Sequence, residues 1–143
     1  MQIHASCAAR RGVGVLILGP PGSGKSELVL RLVDRGFLLV ADDRVELDGC
    51  DAWAPARLAG LLEVRGLGIV RLPYLARARL GLAVELGGEV TRLPVPARCG
   101  HADVPLVGLD ARRPAAAQIV ELALDCAEGV REQHAGAFAG VRA

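Results

Sequence analysis

Val13-Gly-Val-Leu-Ile-Leu18 followed by Gly19-Pro-Pro-Gly-Ser-Gly-Lys-Ser26 decides the fold of this chain. The first six residues are a short apolar, β-branched run, as a buried strand requires. Gly19 to Ser26 fits the P-loop pattern G-x-x-x-x-G-K-[ST]. Glu27 to Arg35 then carries apolar residues at 28, 29, 32 and 33, which is helical spacing, and Gly36 is a natural stop. The glycines therefore lie between a strand and a helix N-terminus, where amide groups and the helix dipole favour an anion. Lys25 is the only lysine; the other sixteen of the seventeen basic residues are arginine. A loop of N–H groups around a phosphate has room for a compact ammonium on a thin stem and not for a planar guanidinium. Gly19, Pro20, Pro21, Gly22, Ser23, Gly24, Lys25 and Ser26 are thus the expected phosphate-binding residues. Lys25 is expected to reach the outer phosphates, and the Ser26 hydroxyl to ligate Mg²⁺.

Outward from this unit, strands dominate. Residues 3–9, 37–41, 61–65 running into 66–70, 80–86 and 104–109 read as strands. Val45–Asp48 and Ala52–Ala54 flank the hairpin signal Asp48-Gly-Cys-Asp51. Only the helix after Ser26 and a second at 115–128, closed by Gly129, are convincingly helical. The expected fold is an α/β, strand-rich mixed sheet with one P-loop strand–loop–helix unit and a C-terminal helix, unlike a doubly wound sheet with a helix after every strand. Residues 1–129 are expected to form one catalytic domain, and 130–143, rich in Ala, Gly and Arg, a frayed tail.

Composition narrows the function. The 143 residues are 52% hydrophobic, 23% charged and 3% aromatic, with a net charge of +1. That balance predicts no nucleic-acid or membrane partner and no stacking platform for single strands. Cys7, Cys50, Cys99 and Cys126 show no C-x-x-C spacing, so they read as small buried apolar residues. No apolar run approaches the length of a membrane span and residues 1–12 lack the apolar core of a signal peptide. A cytoplasmic protein is expected.

Asp42-Asp43 ends the strand that follows the P-loop helix. Acidic groups there can hold Mg²⁺ or accept a substrate proton, or can simply open the turn at Arg44. By spacing alone, Glu63, Arg65 and His4 read as ordinary surface residues.

Four motifs in one order change that reading. Gly14 to Glu27 resembles the P-loop of HPr kinase/phosphorylase. Arg35-Gly-Phe-Leu-Leu-Val-Ala-Asp-Asp43 resembles that family's R-G-x-x-L-V-A-D-D, and Leu62-Glu-Val-Arg-Gly-Leu-Gly-Ile69 its E-[IV]-R-G-L-G-I. Ile3-His4-Ala5 falls where the family has its active-site histidine. The resemblance covers about residues 2–128, is closest to short single-domain members, and extends to the nucleotide site of phosphoenolpyruvate carboxykinase. It implies ATP and Mg²⁺ as cofactors, an HPr-like phosphocarrier protein as partner and a homo-oligomer, hexameric in the family. It also implies roles. Ser26 and Glu63, with Asp42, approach Mg²⁺. Asp43 takes the proton of a serine hydroxyl and returns it in phosphorolysis. His4 lies near the reacting phosphoryl group, Arg65 belongs to the segment serving both directions, and Arg92 is the match to a further active-site arginine.

Two departures stand out. Pro21 replaces a residue with a backbone donor. The family's V-R-P-G-R-N loop has no clean counterpart; Leu109-Asp-Ala-Arg-Arg-Pro-Ala115 occupies its place. The expectation is therefore a protein-serine kinase with reverse activity weak or absent. The alternatives are a small-molecule P-loop kinase and a non-catalytic nucleotide sensor.

Overall fold

The computed structural model describes residues 1–139. Ten strands and two helices follow one another as β1 (Gln2–Ile3), β2 (Ser6–Arg10), β3 (Val13–Leu18), α1 (Lys25–Asp34), β4 (Leu38–Ala41), β5 (Val45–Asp48), β6 (Asp51–Trp53), β7 (Leu61–Val64), β8 (Gly68–Arg71), β9 (Ala78–Leu86), β10 (Leu106–Leu109) and α2 (Ala116–Ala127). Eight strands form one mixed sheet in the order β1-β5-β6-β9-β3-β2-β4, with β10 added in parallel to β9; β7 and β8 form a separate hairpin. β3 is central, parallel to β9 and antiparallel to β2.

The pleat explains the continuous apolar runs. Along β3, Val15 and Ile17 join the core beneath α1 and α2, whereas Leu16 joins Cys7, Val40, Leu80 and Ala83 on the other face. Both faces are covered, so the strand has no polar alternation to display. α1 buries Leu28, Val29 and Leu32, and α2 buries Val120, Ala123 and Leu124, on the first of these faces. Each helix closes in the same way. The amides of Gly36 and Phe37 return to Val33 and Leu32, and those of Gly129 and Val130 to Cys126 and Asp125. This paired closure satisfies the last helical carbonyls.

The mixed, strand-rich sheet with its C-terminal helix agrees with expectation, and three local differences have physical causes. The segment 3–9 is two strands: β1 pairs with β5 and β2 with β3 and β4, and His4 and Ala5 form the break where the chain changes partners. Residues 66–70 do not continue one strand. Gly66 and Leu67 make the turn between β7 and β8, fixed by the amide of Leu67 on the carbonyl of Val64. The tail expected to fray from residue 130 is tied down as far as Phe138. Ala137 and Phe138 are buried in the helical core layer, and the Phe138 amide donates to Gln133 Oε1 at 2.7 Å. Burying one aromatic ring offsets the entropy of ordering a short polar stretch. Residues 140–143 lie outside the described residues.

Candidate functional site

The site forms at the edge of the sheet where β3 and β4 end and β2 begins. β3 runs into the glycine-rich loop 19–24, and the loop into the first turn of α1. Gly19 sits at φ +155°, and a Cβ there would lie 2.5 Å from Ser23 Oγ and 3.0 Å from the Leu86 carbonyl, so no side chain fits. Gly24 caps α1 at φ +98° and offers no side chain to the first-turn amides, which remain open to a ligand. Gly87 lies beside the loop, where a Cβ would come within 3.0 Å of Pro20 Cδ.

Lys25 folds back across the loop. Its Nζ donates to the carbonyls of Gly19 at 2.7 Å and Pro20 at 3.0 Å. The ammonium is thereby held over the loop by two weak acceptors that a phosphate can replace. Ser26 points to the sheet: its hydroxyl is 2.8 Å and 2.9 Å from the two carboxylate oxygens of Asp42.

The two adjacent aspartates have opposite surroundings. Asp42 is 6% exposed and collects donors: Ser26, the Ser6 hydroxyl at 2.7 Å, and the Glu63 amide at a longer 3.4 Å. The side chain of Asp43 is 71% exposed. Its backbone sits at φ +69°, the left-handed region that costs an L-residue roughly 1–2 kcal/mol. The Arg44 amide closes on the Asp42 carbonyl at 2.8 Å and fixes this kink. The kink turns the second carboxylate outward, where His4 Nδ1 lies 3.8 Å and Arg44 Nε 4.0 Å from it.

A cavity of about 270 Å³ opens between these groups, lined among others by Ser6, Lys25, Ser26, Asp43, Glu63 and Arg65. The β7–β8 hairpin delivers Glu63 and Arg65 to its wall. A second cavity of about 500 Å³ lies across the glycine-rich loop, between Gly22–Gly24, Gly87–Gly88 and the segment Leu109–Arg112. The guanidinium of Arg31, on α1, holds that segment by donating to the carbonyls of Ala111, Arg113 and Pro114. Within it Arg112 pairs with Asp110. The hydrogen bond from the Arg112 side chain, then that from its amide, hold the Asp110 carboxyl below its usual range, and the same pairing raises Arg112.

The structure thus brings Lys25, Ser26, Asp43, Glu63 and Arg65 around one cavity, sets His4 at its rim against Asp43, and places Asp42 behind Ser26. Arg92 is not brought there: it is exposed in the stretch between β9 and β10 and lines neither cavity. Sequence reasoning missed Ser6 and Arg31. A lone serine in an apolar strand and an arginine on a helix carry no pattern; only the pairing of β2 with β4 and the packing of α1 on the 110–114 segment give them partners.

Among the described residues no cluster of three or more His, Cys, Asp or Glu side chains could hold a metal ion. The oxygens present nevertheless suit Mg²⁺ as phosphate-binding sites hold it, through a hydroxyl, one or two carboxylates, phosphate oxygens and water. The Ser26 hydroxyl gives its proton to Asp42, which leaves its lone pairs for a cation.

Comparisons with known proteins converge. The profile of the HPr Serine kinase C-terminal domain matches residues 1–75. The HPr kinase/phosphorylase of Bacillus subtilis (strain 168) is 38% identical over 133 residues, covering 69% of this chain and 43% of the relative. HPr kinase/phosphorylase 1 of Oceanobacillus iheyensis is 43% identical over 96 residues, covering 59% and 31%. The chain therefore spans less than half the length of these curated relatives. Among solved structures, the Hpr(Ser) kinase/phosphatase from Coxiella burnetii superposes with a TM-score of 0.68 at 25% identity, covering 86% of this chain and 88% of that one.

Proposed function

Because the chain belongs to the HPr serine kinase C-terminal domain family, we propose that it phosphorylates a serine of an HPr-like phosphocarrier protein at the expense of ATP. The observation that carries this reading is the joint placement of Lys25, Ser26, Asp43 and Glu63 around one open cavity. Phosphoryl transfer asks the protein for three things: phosphates held in place, charge neutralised, and a nucleophile oriented. In this reading the loop Gly19 to Ser26 is a P-loop whose open amides take the phosphates. Lys25 exchanges two carbonyls for phosphate oxygens. Ser26 and Glu63 hold Mg²⁺, with Asp42 behind Ser26. A Mg²⁺ ion bound there supplies charge neutralisation at the transferred group.

Asp43 is the group that accepts the serine proton. Its exposure suits it to meet a macromolecule, since the hydroxyl arrives on the surface of a second protein. A carboxylate is a weak base, and that is sufficient because the loose transition state demands little deprotonation. His4 lies beside it at 3.8 Å and is placed to orient Asp43. Arg65, on the cavity wall, is placed to meet phosphate charge. Arg92 remains a candidate only through the resemblance of the sequence.

The retention of Asp43 and Glu63 beside the loop favours a kinase over a nucleotide sensor, which has no use for a base. The test is incubation of the protein with γ-labelled ATP, Mg²⁺ and a purified HPr-like protein. Label transferred to a serine of the carrier is the expected result. Label appearing on a small acid and never on the carrier would transfer the reading to a small-molecule kinase. The oligomeric state, a hexamer by resemblance, is measured in the same preparation by light scattering.

A further inference from the structure

The break between β1 and β2 gives the chain two side chains that face the adjacent aspartates. His4 meets Asp43, and Ser6, two residues on, meets Asp42. β2 and β4 pair antiparallel with Cys7 opposite Ala41, so one step further along the register sets Ser6 opposite Asp42. Ser6 is completely buried, yet its hydroxyl reaches Asp42 Oδ1 at 2.7 Å and the residue contributes to the cavity lining. Its position has no packing rationale that alanine would not serve as well, since its neighbours along the chain are Ala5, Cys7, Ala8 and Ala9. A hydroxyl placed among small apolar residues must be used as a hydroxyl.

Counting acceptor sites shows the use. A carboxylate offers about four lone-pair sites. Asp42 Oδ1 receives Ser6 and shares Ser26; Oδ2 shares Ser26 and takes the Glu63 amide. The group is therefore close to full before any ligand arrives, and all its donors come from protein. We propose that Ser6 is a positioning residue. It locks Asp42 in the orientation that accepts the Ser26 proton, so that Asp42 acts on the cation through Ser26 and not as a direct ligand. Ser6 touches neither substrate nor metal. Its effect is to fix the Ser26 lone pairs toward the cavity, as the partner of a metal ligand does elsewhere.

This inference rests on the reading of the site as a Mg²⁺-nucleotide site, and the experiment separates the two. A fluorescent ATP analogue is titrated against wild type, Ser6→Ala and Ser6→Thr, in excess chelator and across Mg²⁺ concentrations. Ser6→Ala is expected to need about 10-fold more Mg²⁺ for half-maximal enhancement of binding, the usual order for losing a partner of a metal ligand. Binding in chelator is expected to be unchanged, and Ser6→Thr, which keeps the hydroxyl, to restore the wild-type midpoint. If Ser6→Ala does not fold, Ser6→Cys replaces it with a weak donor of the same connectivity and is expected to shift the midpoint in the same direction. A wild-type Mg²⁺ midpoint in Ser6→Ala, or equal weakening with and without Mg²⁺, overturns the role of Ser6 alone. A wild-type protein that binds the analogue in neither condition overturns the nucleotide site itself, and the role of Ser6 with it.

Discussion

The floor and the rim of the small cavity are built on different principles. At the floor, Ser6, Ser26 and the buried Asp42 are joined by short hydrogen bonds between elements that are far apart in sequence. At the rim, His4 and Asp43 are exposed and Arg44 is half-buried, with His4 3.8 Å and Arg44 4.0 Å from the Asp43 carboxylate, distances longer than those of the floor. A buried polar network is costly when half satisfied and rigid when complete, so the floor is set before a ligand binds. Exposed ion pairs in water hold little free energy, so the rim can rearrange around an incoming surface. The chain separates the two tasks with one peptide unit: Asp42 turns inward and Asp43, in a left-handed conformation, outward.

If the floor holds the nucleotide, the largest effect comes from the loop that covers it. Lys25→Ala is expected to lower turnover by at least about 10³-fold, the order set by removing a preorganised charge at a transferred group. Lys25→Arg is expected to fail as well. The two carbonyls that now hold Nζ at 2.7 Å and 3.0 Å define a space for an ammonium, and a guanidinium is too wide for it. Near-normal phosphorylation of the carrier by Lys25→Arg would show that the loop is not a phosphate cradle.

The second effect divides floor from rim directly. Asp43→Asn is expected to lower kcat by about 10²-fold, the usual worth of a positioned base, with nucleotide affinity retained. Asp42→Asn is expected to do the opposite: it removes the negative charge and replaces the Oδ2 acceptor of Ser26 and the Glu63 amide with a donor, so Mg²⁺-nucleotide binding weakens first. Paired kcat and binding measurements on the two variants check this. A harmless Asp43→Asn beside a kcat-damaged, normally binding Asp42→Asn would exchange the two roles.

This contrast also marks what the sequence reveals and what it conceals. The strand, the glycine-rich loop and the helix are legible because each is a local pattern, and so is the acidic pair, because it ends a strand. Glu63 and Arg65 became candidates only through resemblance to a family, since a hairpin that leaves the main sheet gives no periodic signal. Ser6 is illegible altogether. Its meaning lies in the register of β2 against β4, a non-local pairing with an irregularity between Cys7 and Ala8. Arg92 differs again: it is suggested by a short pattern in the stretch between β9 and β10, and it lies exposed, outside the lining of either cavity. Composition predicts fraying from residue 130 and carries no signal for the burial of Ala137 and Phe138 against the helical layer.

That ring supplies a control outside both regions. Phe138 is 3% exposed in the helical core layer and lines neither cavity. Phe138→Ala is expected to cost about 3 kcal/mol of stability, at the lower end for a buried aromatic near a chain end. Turnover per folded molecule should not change. Denaturant unfolding with activity measured at low temperature checks it. A loss of activity without a loss of stability would mean that the tail reaches the site.

The smallest expected effect concerns direction, and it tests whether the rim is complete. Phosphorolysis must hold inorganic phosphate in line with a phosphoserine, two anions brought together against their repulsion. That requires cationic or amide donors beyond those of the forward reaction. The segment before α2 keeps Arg112 and Arg113, but Arg112 is committed to Asp110. The pairing depresses the Asp110 carboxyl. A depressed carboxyl stays ionised above its ordinary range and is protonated only as the pH falls through the lowered value, so Asp110 carries its charge throughout neutral pH. The ionised Asp110 therefore offsets part of the charge that the exposed Arg112 can offer a phosphate. Phosphorolysis is expected to run at least about 10-fold slower than phosphorylation, the deficit of one missing charged donor. Phosphoserine carrier protein mixed with millimolar phosphate, with pyrophosphate release followed, gives the reverse rate. Asp110→Asn frees Arg112 and is expected to narrow the gap. Release as fast as the forward reaction in the unaltered protein would mean that the donors are supplied elsewhere on the rim, with Arg65 the first to substitute.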